Sequence, residues 1–126
     1  MKWYIDGFTI GGNPSSVGGG FTVLDENNKL IKQEQIFKEK FTCNEGELLG
    51  MLYATKIASE NDTIITDSKN TIFWVKSGRP KARPDLTQQA SEAKEMIEQK
   101  NLIIEWCGRD KNLAGIYNDK PRVYSF

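Results

Sequence analysis

The sequence contains no histidine. That absence excludes Ser–His and Cys–His nucleophile pairs and histidine-held metals, and it leaves carboxylates as the groups able to carry acid–base or metal chemistry. Cysteine is scarce as well. Cys43 and Cys107 are the whole inventory, too few for a disulfide framework or a four-ligand zinc site. Two reduced thiols are the expectation for an intracellular chain. No apolar run approaches the ~20 residues of a membrane span. The N-terminus lacks the basic-then-apolar layout of a signal peptide. A cytoplasmic protein with no membrane association is the expectation. Charge of one sign is missing too: Lys plus Arg number 17 and Asp plus Glu number 17, so the net charge is zero. Bulk charge gives no hint of a nucleic-acid partner, and a local basic patch must carry any such argument.

What is present suits one globular domain over residues 1–126, with 38% hydrophobic and 27% charged residues. Residues 2–10 read as a strand. The segment 11–20, rich in glycine with Asn13, Pro14 and two serines, reads as a turn. Phe21 to Leu24 reads as a second strand, Asp25 to Asn28 as a hairpin turn, and Leu30 to Phe41 as a third strand. The period then changes. Leu48, Met51, Leu52, Thr55 and Ala58 fall on one helical face, which predicts a helix over 44–60 with Asn44 as N-cap. Thr63 to Asp67 reads as a short buried strand. A helix follows over Ser68 to Lys76, ending near Gly78, with Trp74 in the core or on a groove wall. Arg79 to Pro84 reads as a basic loop, 86–100 as a helix with Ala90, Ala93 and Ile97 inward, and Leu102 to Trp106 as a fifth strand. Asn112 to Asp119 predicts a short helix stopped by Pro121, followed by a tail or docked extension. Hairpins first and helical crossovers later predict a mixed α/β sheet, three antiparallel strands then two parallel, flanked by helices.

Asp6 is the residue that most needs explaining. On the first strand Trp3 and Ile5 point to one face and Tyr4 and Asp6 to the other. A carboxylate inside an apolar strand is costly unless it is paired or holds a metal. Glu47, in the first turn of the first helix, and Asp67, at the end of the fourth strand, can reach the same point if strands one and four are neighbours. Such a trio suits hard divalent ions such as magnesium. Two such ions ~4 Å apart can activate water and stabilise the leaving oxygen in phosphodiester hydrolysis. Taken singly, each acid has a plainer role. Glu47 stands three residues after Asn44, the spacing of a capping box, and Asp67-Ser68 can cap the second helix.

Five segments in order resemble ribonuclease H of type 1 over nearly the whole chain. They are Tyr4-Ile5-Asp6-Gly7, then Gly12-Asn13-Pro14 with Gly18-Gly19-Gly20-Phe21, then Thr42-Cys43-Asn44-Glu45-Gly46-Glu47-Leu48, then Ile65-Thr66-Asp67-Ser68, and finally Trp106 to Ala114. The last is most similar to the histidine-lacking branch with a Trp-x-x-Arg-x-x-Asn pattern. The resemblance implies a ribonuclease H-like fold. It implies cleavage of the RNA strand of RNA–DNA hybrids with two magnesium or manganese ions per site, leaving 5′-phosphate and 3′-hydroxyl ends, by a monomer. It places Asp6, Glu47 and Asp67 on the metal ligands, with Asp6 bridging both ions. Asn13 and Asn44 fall where the family reads the RNA minor groove, where the 2′-hydroxyl identifies RNA. Thr42 falls where it grips a DNA phosphate. Gly7, Ser68, Arg109 and Asn112 complete the substrate-binding set.

The chain departs from that pattern in three places. The family's fourth carboxylate, just after Asn-x-x-Ala, is replaced by Gly115 and Ile116. Asp119, one helical turn on, is the expected substitute, with the Asn118 amide oxygen as the neutral alternative and no fourth ligand as the third possibility. Fewer carboxylates predict low activity or a preference for manganese. The assisting histidine is missing, and Arg109 or Asp110 sits near its place; a guanidinium cannot act as a base near neutral pH, so Arg109 is expected to grip phosphate. The long basic protrusion of many bacterial members is reduced to Lys76, Arg79, Lys81 and Arg83, either a small duplex-binding handle or an ordinary solvated loop. The missing acid keeps two alternatives open: a hybrid-binding domain of the same fold with little nuclease activity, and a small metal-binding or interaction domain. Cys43 and Cys107 flank elements that can end on one side of the sheet, which leaves a disulfide between them open.

Overall fold

The computed structural model describes residues 1–120. Three strands come first: β1 over Lys2–Thr9, β2 over Gly18–Asp25 and β3 over Leu30–Phe37. They run antiparallel, with Ile5 opposite Val23 and Val23 opposite Lys32. Helix α1, Cys43–Ile57, crosses over to β4, Thr63–Thr66, which lies parallel to β1. Helices α2, Lys69–Ser77, and α3, Thr87–Lys100, lead to β5, Ile103–Trp106, parallel to β4. Helix α4, Leu113–Asp119, follows. The sheet order β3-β2-β1-β4-β5 is the mixed arrangement that hairpins followed by crossovers dictate.

The core lies between the sheet and helices α1 to α3. Ile5, Val23 and Ile64 from the sheet meet Leu48, Met51 and Ala54 from α1, Val75 from α2, and Ala90 and Ala93 from α3. Trp74 is buried in this core. Helix α4 packs on β1 and β2. With strands on both edges, β2 is buried along its whole length.

Local differences from the sequence expectations have local causes. Gly18 to Gly20, read as turn, is part of β2, because β1 and β3 both pair with it. The third strand ends at Phe37 rather than Phe41. Lys40 adopts a left-handed backbone with φ 59°, which breaks the strand. Phe41 then turns into the core while Phe37 stays exposed. Helix α1 starts one residue early, and its N-cap is Thr42 rather than Asn44. Thr42 has an extended backbone, and its hydroxyl accepts from the Glu45 amide at 3.2 Å. Asp67 lies just past β4 rather than within it, and Ser68, not Asp67, caps α2. The thiols of Cys43 and Cys107 are both free. No helix among the described residues is long and apolar enough to cross a membrane. The expected stop at Pro121 and the tail beyond it lie outside the described residues.

Candidate active site

Asp6 and Asp67 meet because their strands are parallel neighbours. Tyr4 pairs with Ile65, so two residues further on Asp6, in the middle of β1, and Asp67, just past the carboxyl end of β4, stand at the same level. Glu47 arrives from α1 because that helix lies directly on β1. A Cβ at Gly7 would stand 2.7 Å from the Cys43 carbonyl oxygen, so only glycine lets the helix approach this closely. The Gly7 amide then donates to Glu47 Oε1 at 3.0 Å, and the Thr66 hydroxyl donates to Glu47 Oε2 at 3.2 Å. Glu47 therefore belongs to the site and not to a capping box. Oxygens of Asp6, Glu47 and Asp67 all lie within 4.8 Å of one another.

Burial sets the electrostatics. Asp6 is fully buried and Glu47 nearly so. Loss of water pushes the Glu47 carboxyl well above the usual carboxylate range, and the neighbouring Asp6 charge adds to that. Burial raises Asp6 as well, although Glu47, the Asn118 amide and the Arg109 guanidinium partly restore its charge. Asn112 is the orienting residue. Its amide nitrogen donates to the Ile5 carbonyl at 2.8 Å and to Asp67 Oδ2 at 3.1 Å, and its oxygen caps α4 through the Ala114 amide. Being fully buried, Asn112 holds the site in place, which differs from the expected substrate contact. Gly7 is likewise buried under α1 rather than open to a ligand.

Arg109 also differs from expectation. Instead of facing outward for phosphate, its Nη1 donates to Asp6 Oδ1 at 2.5 Å and to Asp67 Oδ2 at 3.1 Å, while Nη2 donates to Asp119 Oδ1 at 2.9 Å. These contacts raise the guanidinium pKa further and keep it charged, against the opposing effect of burial. Among the described residues Asp119 touches the cluster only through Arg109, and its carboxyl is 61% exposed. Asn118 is the nearer of the two candidate fourth ligands: its amide nitrogen donates to Asp6 Oδ2 at 2.7 Å. The Thr22 hydroxyl, donating to Asn118 Oδ1 at 2.7 Å, fixes that amide. Sequence reasoning missed Thr22 and Thr66. Thr22 stands opposite Asp6 in the β1–β2 register, so the hairpin alignment was the signal that could have found it. No comparable signal marks Thr66.

The remaining sequence candidates surround this centre. Asn13 Oδ1 accepts from the Cys43 amide at 3.1 Å, tying the loop after β1 to the start of α1. Asn44 is half-buried in the first turn of α1. The Thr42 hydroxyl accepts from Arg83 Nη1 at 3.0 Å, and Arg83 Nη2 donates to buried Glu45 at 3.0 Å and to Asp85 at 2.9 Å. Arg83 is thus committed to acidic partners, whereas Lys76, Arg79 and Lys81 are exposed. Ser68 is occupied as a cap, accepting from the Thr71 amide at 3.1 Å.

The donor set fits hard divalent cations. Every candidate ligand is oxygen, the oxygens converge, and the cluster already attracts a guanidinium to balance its charge.

No protein-family model and no curated protein sequence matches the chain. Solved structures do match. The N-terminal ribonuclease H domain of Rv2228c from Mycobacterium tuberculosis is 25% identical, with 90% of each chain covered and a TM-score of 0.63. Ribonuclease H1 from the halophilic archaeon Halobacterium salinarum is 18% identical, with 90% of this chain and 89% of that one covered and a TM-score of 0.63. LC11 ribonuclease H1, isolated from compost and solved with an RNA/DNA hybrid, is 19% identical, with 88% and 87% covered and a TM-score of 0.58. Fold and strand order are those of these ribonuclease H domains.

Proposed function

We propose that this chain hydrolyses the RNA strand of RNA–DNA hybrids in a magnesium- or manganese-dependent reaction. The observation that carries the reading is the convergence of Asp6, Glu47 and Asp67 within 4.8 Å, in a fold shared with a 25% identical ribonuclease H domain. Divalent ions, two per site by the family resemblance, would supply an activated water and neutralise the departing oxygen. The chain's own residues do the rest. Asp6 would be the central metal ligand. Glu47, held by Gly7 and Thr66, and Asp67, held by Asn112, would hold metal beside it. Asn118 contacts Asp6 through its amide nitrogen while its Oδ1 accepts from Thr22, so it would serve as the fourth ligand, in place of the more distant Asp119, by turning its amide to present the oxygen. Asn13 and Asn44 face the RNA minor groove, and Thr42, backed by Arg83, receives a DNA phosphate. Lys76, Arg79 and Lys81 form a small cationic handle for the duplex. The products carry 5′-phosphate and 3′-hydroxyl ends.

A second reading, a hybrid-binding domain with weak nuclease activity, is favoured by one observation. Arg109 engages two of the three carboxylates, and the residue at 115 brings no acid. Labelled RNA–DNA hybrid, single-stranded RNA and double-stranded RNA, each incubated in magnesium and then in manganese, separate the two. Cutting confined to the RNA strand of the hybrid, with 3′-hydroxyl ends, is expected. Hybrid binding without cutting in either metal would replace the nuclease with the binding domain.

A further inference from the structure

The guanidinium of Arg109 sits in a niche that the sequence of α4 creates. A Cβ placed at Gly115 would come within 3.0 Å of Arg109 Nη1 and 3.1 Å of Cζ. The missing side chain at 115 therefore makes the room that the guanidinium fills. From there Arg109 spans acids from three elements: Asp6 from β1, Asp67 after β4 and Asp119 from α4.

We infer that Arg109 is a built-in counter-cation of the carboxylate cluster, displaced when a divalent ion binds, and that it thereby sets the cluster's affinity for metal. The inference rests on the nuclease reading above and deepens it. Asp6 Oδ1 and Asp67 Oδ2 are the oxygens that Arg109 Nη1 contacts, and they are oxygens a metal would need. Magnesium demands near-ideal octahedral geometry, and a guanidinium within bonding distance of the same oxygens would repel it. Docked Arg109 and a fully ligated ion therefore exclude one another. Apparent metal affinity is lowered by the fraction of molecules in which Arg109 is docked. Exchange is open to the side chain because it is 48% exposed. Asp119, at 61% exposed, is a foothold at the rim that needs no contact with the ion. By reciprocity, metal loading frees the guanidinium to face solvent beside the site.

Manganese binding tests this directly, by calorimetry and by the electron paramagnetic resonance of free ion, on wild type, Arg109→Gln, Gly115→Ala and Asp6→Asn. Arg109→Gln is expected to bind manganese about tenfold more tightly, the effect of removing a charge-assisted contact. Gly115→Ala, which crowds the guanidinium without adding a ligand, should shift affinity the same way by less. Arg109→Lys, which keeps charge but not the forked contact, should fall between wild type and Arg109→Gln, and it serves if Arg109→Gln fails to fold. Asp6→Asn should abolish tight binding. If Asp6→Asn binds manganese as wild type does, the metal-site reading itself fails, and this inference with it. If Asp6→Asn loses binding while the Arg109 and Gly115 variants bind no more tightly than wild type, the metal site stands and the counter-cation role is overturned.

Discussion

Glu47 and Asp6 are carboxyl groups that the fold buries side by side, so each is held above its unfolded pKa. The sign of the stability effect follows. A carboxyl whose folded pKa is raised binds more protons folded than unfolded, so metal-free stability falls as pH climbs from the ordinary carboxylate range through the raised values. Thermal melts in EDTA should show this decline, and melts in magnesium should flatten it, because ionised ligands are then bound. Glu47→Gln removes the ionisation and should stabilise the metal-free protein at neutral pH by roughly 1 kcal/mol while abolishing cleavage. A destabilised Glu47→Gln protein in EDTA would mean that its hydrogen bonds to Gly7 and Thr66 outweigh its charge. Asn112 makes a second prediction at this scale. Asn112→Ala leaves the Ile5 carbonyl without its donor and Asp67 without its anchor, and should cost about 1–3 kcal/mol in denaturant titrations. Hybrid cleavage should fall further than that loss of stability explains, since Asp67 is no longer aimed.

Helix α1 shows how one element serves both fold and site. Thr42 caps it, and the same hydroxyl accepts from Arg83. Thr42→Ala should destabilise the protein by about 1 kcal/mol, the usual value of an N-cap, and weaken hybrid binding as well. Asn44→Ala should leave the melting temperature nearly unchanged and weaken binding alone. Equal stability losses in the two variants would contradict the assignment of the cap. The change to a 3.6 period made α1 legible in the sequence, because one-faced burial leaves that trace, whereas β4, buried on both sides, showed only as a short β-branched run. The ends were less legible for physical reasons. Phe37, Glu39 and Phe41 continue the alternation of β3, but Lys40 bends the backbone so that Phe41 points inward from outside the strand. Thr42 and Asn44 are both good caps by type, and only backbone geometry chooses between them.

At the scale of the whole molecule, the site is a product of topology. Asp6, Glu47 and Asp67 are distant in the chain and converge because β1 lies beside β4 with α1 packed on β1. That meeting was legible once a mixed sheet was expected. The inward turn of Arg109 was not, since it depends on a niche at Gly115 seen only when α4 is packed. That Asn118 rather than Asp119 contacts Asp6 likewise depends on which side of a short helix faces β1 and β2. Substrate affinity is also a property of the whole surface. With zero net charge, hybrid binding must draw on local cations, so replacing Lys76, Arg79 and Lys81 together should weaken it. The slope of log affinity against log salt should fall by about one for each cation that contacts a phosphate. An unchanged slope would make that loop a plain solvated surface.

The most direct single measurement is the single-turnover rate of hybrid cleavage by wild type and Asp6→Asn, in magnesium and in manganese, with the fold of both proteins checked by circular dichroism. Asp6 is the fully buried member of the carboxylate cluster, so RNA-strand cleavage by wild type and its loss in a folded Asp6→Asn protein is the predicted result. Cleavage that survives Asp6→Asn unchanged would contradict a nuclease centred on these carboxylates.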